Sequence, residues 1–153
     1  MIKALIFDLG GVLAYNDINV LLKAYADELK IDFEKLKEVE ANHHEKLIEG
    51  KISVKEFCSS VRNVFGLEQD SLTLLLVWER LYGATVEMNS ELIEKIRALK
   101  KDYPMALISN IMDTTARYHQ RQKLFFFFKP VLLSCRTGLV KPNVKLFARA
   151  IRE

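Results

Sequence analysis

The chain has 153 residues, 50% hydrophobic and 28% charged, a globular balance with room for one ordinary domain or a core carrying a small insertion, and it excludes a disordered polymer. Its net charge of +3, from 23 basic and 20 acidic residues, is too mild to point to nucleic acid. The longest apolar runs, Leu74 to Trp78 and Leu124 to Phe128, fall well short of the roughly 18–20 residues that a membrane helix needs.

Residues 3–7 form a short apolar run ended by Asp8 and the Gly10-Gly11 pair, the pattern of a buried strand entering a tight turn. Asp8 also interrupts any signal-peptide reading of the N-terminus. Asn16 or Asp17 is positioned to cap a helix with Ile18, Leu21, Leu22, Tyr25 and Leu29 on one face. Asp32 caps the next, which ends at Gly50. Ser53 to Glu56 is a capping-box pattern, and Gly66 ends that helix. Ser71 to Tyr82 reads as a fourth helix, stopped by Gly83. Ser90 then caps a helix to Lys101, and Tyr103-Pro104 delivers a second strand over 105–108. Asp113 caps a further helix, a third strand spans 131–133, and Asn143 caps a last helix. The basic pair Lys100-Lys101 and the stretch Arg117 to Lys123 read as solvated helix faces.

Buried, non-alternating strands separated by helices imply a doubly wound α/β parallel sheet, with four helices inserted after the first strand. Two cysteines, Cys58 and Cys135, are too few for a disulfide framework, so reduced thiols and a cytoplasmic location are expected. In such a sheet, ligands bind beyond the carboxyl ends of the strands. Asp8 ends the first, Ser109-Asn110 the second and Ser134 the third, with Lys141 just beyond. An acid, a hydroxyl and a lysine meeting there make an anion site with a nucleophile. Asp8 can attack phosphorus or carbon, Ser109 can donate to a phosphate oxygen, and Lys141 can neutralise developing charge. The turn amides of Leu9, Gly10 and Gly11 can add donors.

With these residues in view, the chain resembles the haloacid dehalogenase (HAD)-like hydrolase superfamily. The first motif resembles Phe7-Asp8-Leu9-Gly10-Gly11-Val12-Leu13, the second Leu107-Ile108-Ser109-Asn110, the third Gly138-Leu139-Val140-Lys141-Pro142. Their order and spacing suit the subfamily with a helical cap inserted after the first motif. The resemblance implies a Rossmann-like core over residues 1–14 and 89–153, and a four-helix cap over 15–88. It implies a Mg²⁺-dependent phosphatase of small phosphorylated metabolites. Asp8 would be the nucleophile forming an aspartyl-phosphate, Ser109 and Lys141 would bind the phosphoryl group, and Asn110 would orient nucleophile or phosphate. Mg²⁺ would bridge Asp8, the Gly10 carbonyl and the substrate, while the cap closes over the site and excludes water.

Two departures from the family pattern bear on this. Phosphatases of the family usually carry a second aspartate two positions after the nucleophile, as general acid and base, and here that position is Gly10. The dehalogenase branch lacks that aspartate too, but usually has Tyr there and needs no metal. The family's fourth motif, a pair of metal-binding acids after a fourth strand, is missing, since the sequence stops at Glu153. The simplest reading is a fragment of a longer protein with three strands present, which leaves the first strand as an exposed apolar edge. A homodimer pairing or swapping such edges is the rival. Two alternatives to the phosphatase follow: a non-catalytic HAD-like module binding phosphate or a partner, and a 2-haloacid dehalogenase-like hydrolase.

Other residues read more plainly. His43 and His44 are adjacent and face different sides of a helix, and one of them can face the cleft from the cap. Trp78 and Phe125 to Phe128 read as core, with part of the Phe run exposed. His119, in a basic polar helix, reads as solvated. Tyr15 and Asn16, past the first turn, are hinge or substrate candidates, as are Glu79 and Arg80 near the end of the cap.

Overall fold

The computed structural model describes residues 2–153. Strand β1 (Leu5–Phe7) runs into a tight turn wound on the Leu9 carbonyl, which accepts the N–H groups of Val12, Leu13 and Ala14 at 3.3, 2.9 and 3.0 Å. Strand β2 (Ala14–Tyr15) follows at once. Helix α1 (Ile18–Leu29) is capped by Asp17, α2 (Phe33–Ile48) by Asp32 and α3 (Val54–Phe65) by the expected reciprocal box of Ser53 and Glu56. Each cap satisfies N–H groups that the first helical turn leaves free.

Helix α4 (Ser71–Thr85) passes through Gly83 instead of stopping there. A Cβ on Gly83 would lie 3.2 Å from the Tyr118 ring. The glycine thus serves a close tertiary approach and not a helix end. Strand β3 (Glu87–Met88) pairs antiparallel with β2 in a two-stranded ribbon that the sequence pattern did not announce. Helix α5 (Ser90–Leu99) is capped by Asn89, one residue before the expected Ser90. Asn89 also donates through Nδ2 to the Val12 carbonyl at 3.1 Å and through its N–H to Leu13 O at 2.9 Å, tying the helix start to the first turn.

Strand β4 (Met105–Ser109) is buried throughout. Helix α6 (Asp113–Arg121) begins at Asp113, with Met112 as the residue before it, so Asp113 is not the cap. Its Oδ1 instead accepts the N–H of Val54 at the start of α3, 3.1 Å away. Residues Leu124–Phe127 make a 3₁₀ turn in which Leu124 is buried and Phe126 is 80% exposed. Strand β5 (Val131–Leu133), the short helix α7 (Ser134–Thr137) and α8 (Val144–Arg152), capped by Asn143, complete the chain. No described helix is long and apolar enough to cross a membrane.

The fold is α/β. Strands β1, β4 and β5 form a parallel sheet in the order β1-β4-β5, in register Leu5 to Met105 and Leu107 to Val131, with β1 at one edge. Ile6 on that edge strand is 46% exposed. One apolar cluster fills the interior of α1–α4, where Trp78 stands edge-on to Tyr25 and Phe57 at 5.3 and 5.5 Å between ring centres. A second joins Leu9 and Leu13 to Leu107, Leu133 and Phe128 on one side of the sheet. A third packs α8, through Leu146 and Ala150, on the other. Aromatic pairs of this kind contribute about 0.5–1.5 kcal/mol each beyond area burial.

Several contacts seat the helical block on α6 and α7, besides the approach of Gly83 to Tyr118. Tyr82 OH of α4 lies 2.8 Å from Nε2 of His119 on α6. Glu79 of α4 accepts from Arg117 at 2.8 Å and from Arg121 at 3.4 Å. Asp113 holds Val54, as above. Gly50, at φ +71° past the end of α2, meets Cys135 so closely that a Cβ would lie 2.2 Å from its carbonyl oxygen. His119 is therefore fully buried, contrary to the solvated reading. The polar neighbours of His119 face water while its own side is covered by Tyr82 and Tyr118, whose rings stand edge-on to it. Burial without an ionic partner pushes its pKa down to about 4.

Candidate functional site

Asp8 and Ser109 leave the sheet on the same edge because β1 and β4 are parallel with Phe7 opposite Leu107. Both Asp8 oxygens are engaged. Oδ1 accepts the Leu9 N–H at 2.7 Å, and Oδ2 lies 2.5 Å from Lys141 Nζ. The pair is partly accessible, with side-chain exposures of 37% and 23%. Asp8 and Lys141 come from opposite ends of the chain, and the turn after β1 and the loop after α7 bring them together.

Asn110 sets where Lys141 stands. Its Oδ1 accepts the Lys141 N–H at 2.8 Å, and its Nδ2 donates to the Lys141 carbonyl at 3.3 Å. The residue expected to touch nucleophile or phosphate thus grips the backbone of the lysine. Ser109 is 1% exposed, and its Oγ has no hydrogen-bond partner among the described residues. A buried hydroxyl left unpaired costs about 1–3 kcal/mol. It lies at the end of β4, the strand next to the one that Asp8 follows, with its donor unused.

Two of the three turn amides are already engaged. Leu9 N–H bonds Asp8, and Gly11 N–H donates to the Ala14 carbonyl at 2.9 Å. Among the described residues, neither the N–H nor the carbonyl of Gly10 makes a hydrogen bond. Ser134, the third strand-end candidate, does not join the site. It is buried, accepts the Ile111 N–H at 3.0 Å and holds the chain after β4 in place.

A magnesium ion at this place would find one carboxylate, Asp8, and one free carbonyl, Gly10. No group of three or more His, Cys, Asp or Glu side chains among the described residues is placed to hold a metal. Magnesium characteristically takes one or two carboxylates and fills its remaining positions with water and substrate phosphate. The donor set fits such an ion, with the substrate completing it.

Between the strand ends and α2 opens a cleft of about 450 Å³, lined by His44, Glu45, Ile48, Glu49, Asn110 and Val140. A smaller recess of about 150 Å³ continues from it, sharing His44, Ile48 and Asn110 and reaching Trp78 and Tyr82. Trp78 is thus both core and recess wall. Of the two adjacent histidines, His43 turns inward, with Nδ1 2.7 Å from the Val39 carbonyl and its ring edge-on to Phe57. His44 faces the cleft, and its Nδ1 lies 2.7 Å from Oε1 of the buried Glu40. The i, i+4 spacing of Glu40 and His44 signals that pair in the sequence; what it faces is a tertiary matter.

Of the hinge and substrate candidates, Asn16 lines the recess with His44 and Asn110, and the others make contacts of their own. Asn16 Nδ2 donates to Thr85 Oγ1 at 2.9 Å, tying the start of α1 to the end of α4, and Asn89 Nδ2 donates to the Tyr15 hydroxyl at 3.3 Å. Glu79 is engaged with Arg117 and Arg121, and Arg80 with Glu28. A larger hollow of about 740 Å³ by Lys100 and Phe125 to Phe128 lies at the opposite ends of the strands.

The acid–lysine pair lies beyond the carboxyl ends of a parallel sheet, the place where α/β proteins bind their ligands. The fold is that of the HAD-like superfamily. A predicted HAD-like family hydrolase from Porphyromonas gingivalis is 24% identical, over 99% of this chain and 76% of that one, with a TM-score of 0.78. A HAD-family enzyme from Bacteroides thetaiotaomicron, solved with magnesium and inorganic phosphate, is 19% identical over 99% and 78%, with a TM-score of 0.79. A 2-haloacid dehalogenase from Pseudomonas syringae pv. Tomato is 19% identical over 99% and 72%, with a TM-score of 0.64. No family model and no curated protein matches the chain.

Proposed function

We propose that the protein is a magnesium-dependent hydrolase of small phosphomonoesters acting through an aspartyl-phosphate on Asp8. The observation that carries this reading is the pairing of the Asp8 carboxylate with the Lys141 ammonium at the carboxyl end of β1, with the unpaired Ser109 hydroxyl at the end of the neighbouring strand β4. A phosphoryl group offers what these groups lack: an electrophile for the carboxylate, negative oxygens for the ammonium and an acceptor for the hydroxyl. The likeness in fold to an enzyme solved with magnesium and phosphate supports the same reading.

In the first step an Asp8 oxygen attacks phosphorus, the bond to the substrate's ester oxygen breaks, and the alcohol departs with one proton. In the second step water attacks the same phosphorus, loses a proton, and the bond to Asp8 breaks to release phosphate. Lys141 and Ser109 hold the phosphoryl oxygens throughout, and Asn110 positions Lys141. The free N–H of Gly10 is a further donor. Asp8 and the Gly10 carbonyl would hold magnesium, which when bound supplies positive charge to the phosphoryl oxygens. Residues 1–14 and 89–153 form the core in this reading, and 15–88 form a cap that excludes water and selects the substrate.

The test is turnover of p-nitrophenyl phosphate with magnesium by the wild type and by Asp8→Asn. Loss of turnover with the fold retained is expected. Unchanged turnover in the variant overturns the reading. Activity that persists in excess chelator favours metal-free, dehalogenase-like chemistry, and phosphate binding without turnover favours a binding module.

A further inference from the structure

Two-step phosphoryl transfer needs a proton donor for the leaving alcohol and then a base for water, and Gly10 stands where the family pattern carries an aspartate for both. We propose that His44, held by Glu40, is the general acid and base of this site. The inference rests on the phosphomonoesterase reading above and assigns the proton carrier which that reading leaves open.

Three observations carry it. The imidazole of His44 lines the cleft and its recess together with Asn110, the residue that follows Ser109 and clasps Lys141. Its side chain is 48% exposed, so it is open to substrate, while the Glu40 carboxylate behind it is 8% exposed. Glu40 accepts from Nδ1, which fixes the ring and leaves Nε2 as the nitrogen free to face a ligand. An acid holding the far nitrogen of a histidine in place is the usual arrangement for an imidazole that moves protons.

The assignment places the departing alcohol on the side of α2. Displacement at phosphorus proceeds in line, so the alcohol leaves on the face opposite Asp8. His44 on α2 shares the cleft with Asn110 and Val140, the neighbours in sequence of Ser109 and Lys141, and Lys141 pairs with Asp8. In the first step Nε2–H of the doubly protonated ring gives its proton to the ester oxygen as the P–O bond breaks. In the second step the same Nε2, now bare, takes a proton from the attacking water as phosphorus separates from Asp8. One proton is given and one regained, so the ring ends as it began. The other titratable groups around the ring are Glu45 and Glu49 on its own helix and Tyr82 across the recess, with Asp8 and Lys141 beyond Asn110.

The experiment compares substrates whose leaving groups need a proton with one that does not. The full chain and His44→Gln are assayed with magnesium on β-glycerophosphate and on p-nitrophenyl phosphate. The kcat/KM reports the steps through departure of the alcohol, and p-nitrophenolate leaves without a proton donor. His44→Gln should lose roughly 10²–10⁴-fold in kcat/KM on β-glycerophosphate and little on p-nitrophenyl phosphate. On the latter it should release a burst of p-nitrophenolate and then stall, because the aspartyl-phosphate has lost the base that activates water. Glu40→Gln should follow the same substrate pattern more mildly, with a displaced pH profile, and His43→Gln should behave as wild type.

Equal losses on both substrates, or none on either, overturn the proposal. So does a folded wild type that hydrolyses p-nitrophenyl phosphate but not β-glycerophosphate, since it has no effective acid. If wild type hydrolyses neither, the phosphomonoesterase reading falls, and the role of His44 with it. His44→Asn provides a second variant should His44→Gln unfold by circular dichroism.

Discussion

The side-chain amide of Asn110 clasps Lys141 by both of its backbone polar groups, accepting from the N–H at 2.8 Å and donating to the carbonyl at 3.3 Å. The loop after α7 is thereby fixed to the end of β4, and the ammonium of Lys141 is delivered to Asp8. Removing the clasp leaves the charge but frees its position. Asn110→Ala should therefore lower kcat/KM on p-nitrophenyl phosphate by about tenfold or more. Two net hydrogen bonds also predict a stability loss of about 1–2 kcal/mol. Steady-state kinetics beside urea unfolding checks both, and an unchanged kcat/KM contradicts the positioning role.

Ser109 predicts the opposite pairing of effects. Its hydroxyl is buried and bonded to nothing among the described residues, so replacing it relieves an unmet polar group. Ser109→Ala should leave stability unchanged or raise it by up to about 1 kcal/mol. Inhibition by inorganic phosphate should weaken at the same time, and turnover should fall. Thermal unfolding and phosphate inhibition constants, measured on one preparation, separate the two. A variant that loses stability and keeps phosphate affinity refutes the ligand-binding role.

His119 predicts a pH dependence. In the folded chain its pKa lies near 4, below its ordinary 6.5. The unfolded chain therefore binds the proton first as pH falls. The stabilisation from keeping this ring neutral is present in full above pH 6.5 and is lost progressively between pH 6.5 and 4, amounting to about 3 kcal/mol. Urea unfolding at pH 7.5, 6 and 5 should trace the decline. His119→Gln, which has no titrating ring, should flatten it over that window.

Gly50 predicts a steric block. Its φ of +71° and the approach of Cys135 leave no space for a side chain. Gly50→Ala pits a methyl against a backbone carbonyl at the seam between α2 and α7 and adds left-handed strain of about 1 kcal/mol. The helical block must shift away from the sheet. Stability should fall by about 2 kcal/mol or more, and KM should rise because α2 forms a wall of the cleft. Differential scanning calorimetry with kinetics checks this, and an unchanged Tm contradicts it.

These residues also mark how far the sequence could be read. The sheet strands were legible because an unbroken apolar run ending in Asp8 or Ser109 has one physical meaning in a parallel sheet. The caps at Asp17, Asp32, Ser53 and Asn143 were legible because capping is decided within three or four residues. Gly83 misled because a local stop signal was overridden by Tyr118, which lies far along the chain. His119 misled because the partner that covers it, Tyr82, stands 37 residues earlier. Ser134 resembled Ser109 in pattern, and only the turn back toward Ile111 separates them. At the site, the residue types were readable, but the pairing of Asn110 with Lys141, and the cleft that Asn110 and His44 share, are properties of the closed fold.

Asp8 and Lys141 lie 133 residues apart along the chain, and β1 finds its partner only when Leu5 meets Met105. Helices α1–α4 contact one another over much shorter separations. Such local contacts form early in folding, whereas a pairing that closes so long a loop comes late. Refolding followed by Trp78, the single tryptophan, should accordingly run ahead of the recovery of activity. A growing polypeptide thus holds Asp8 long before it holds Lys141, so under the proposed function the acid waits unpaired until the chain between them has been made and folded.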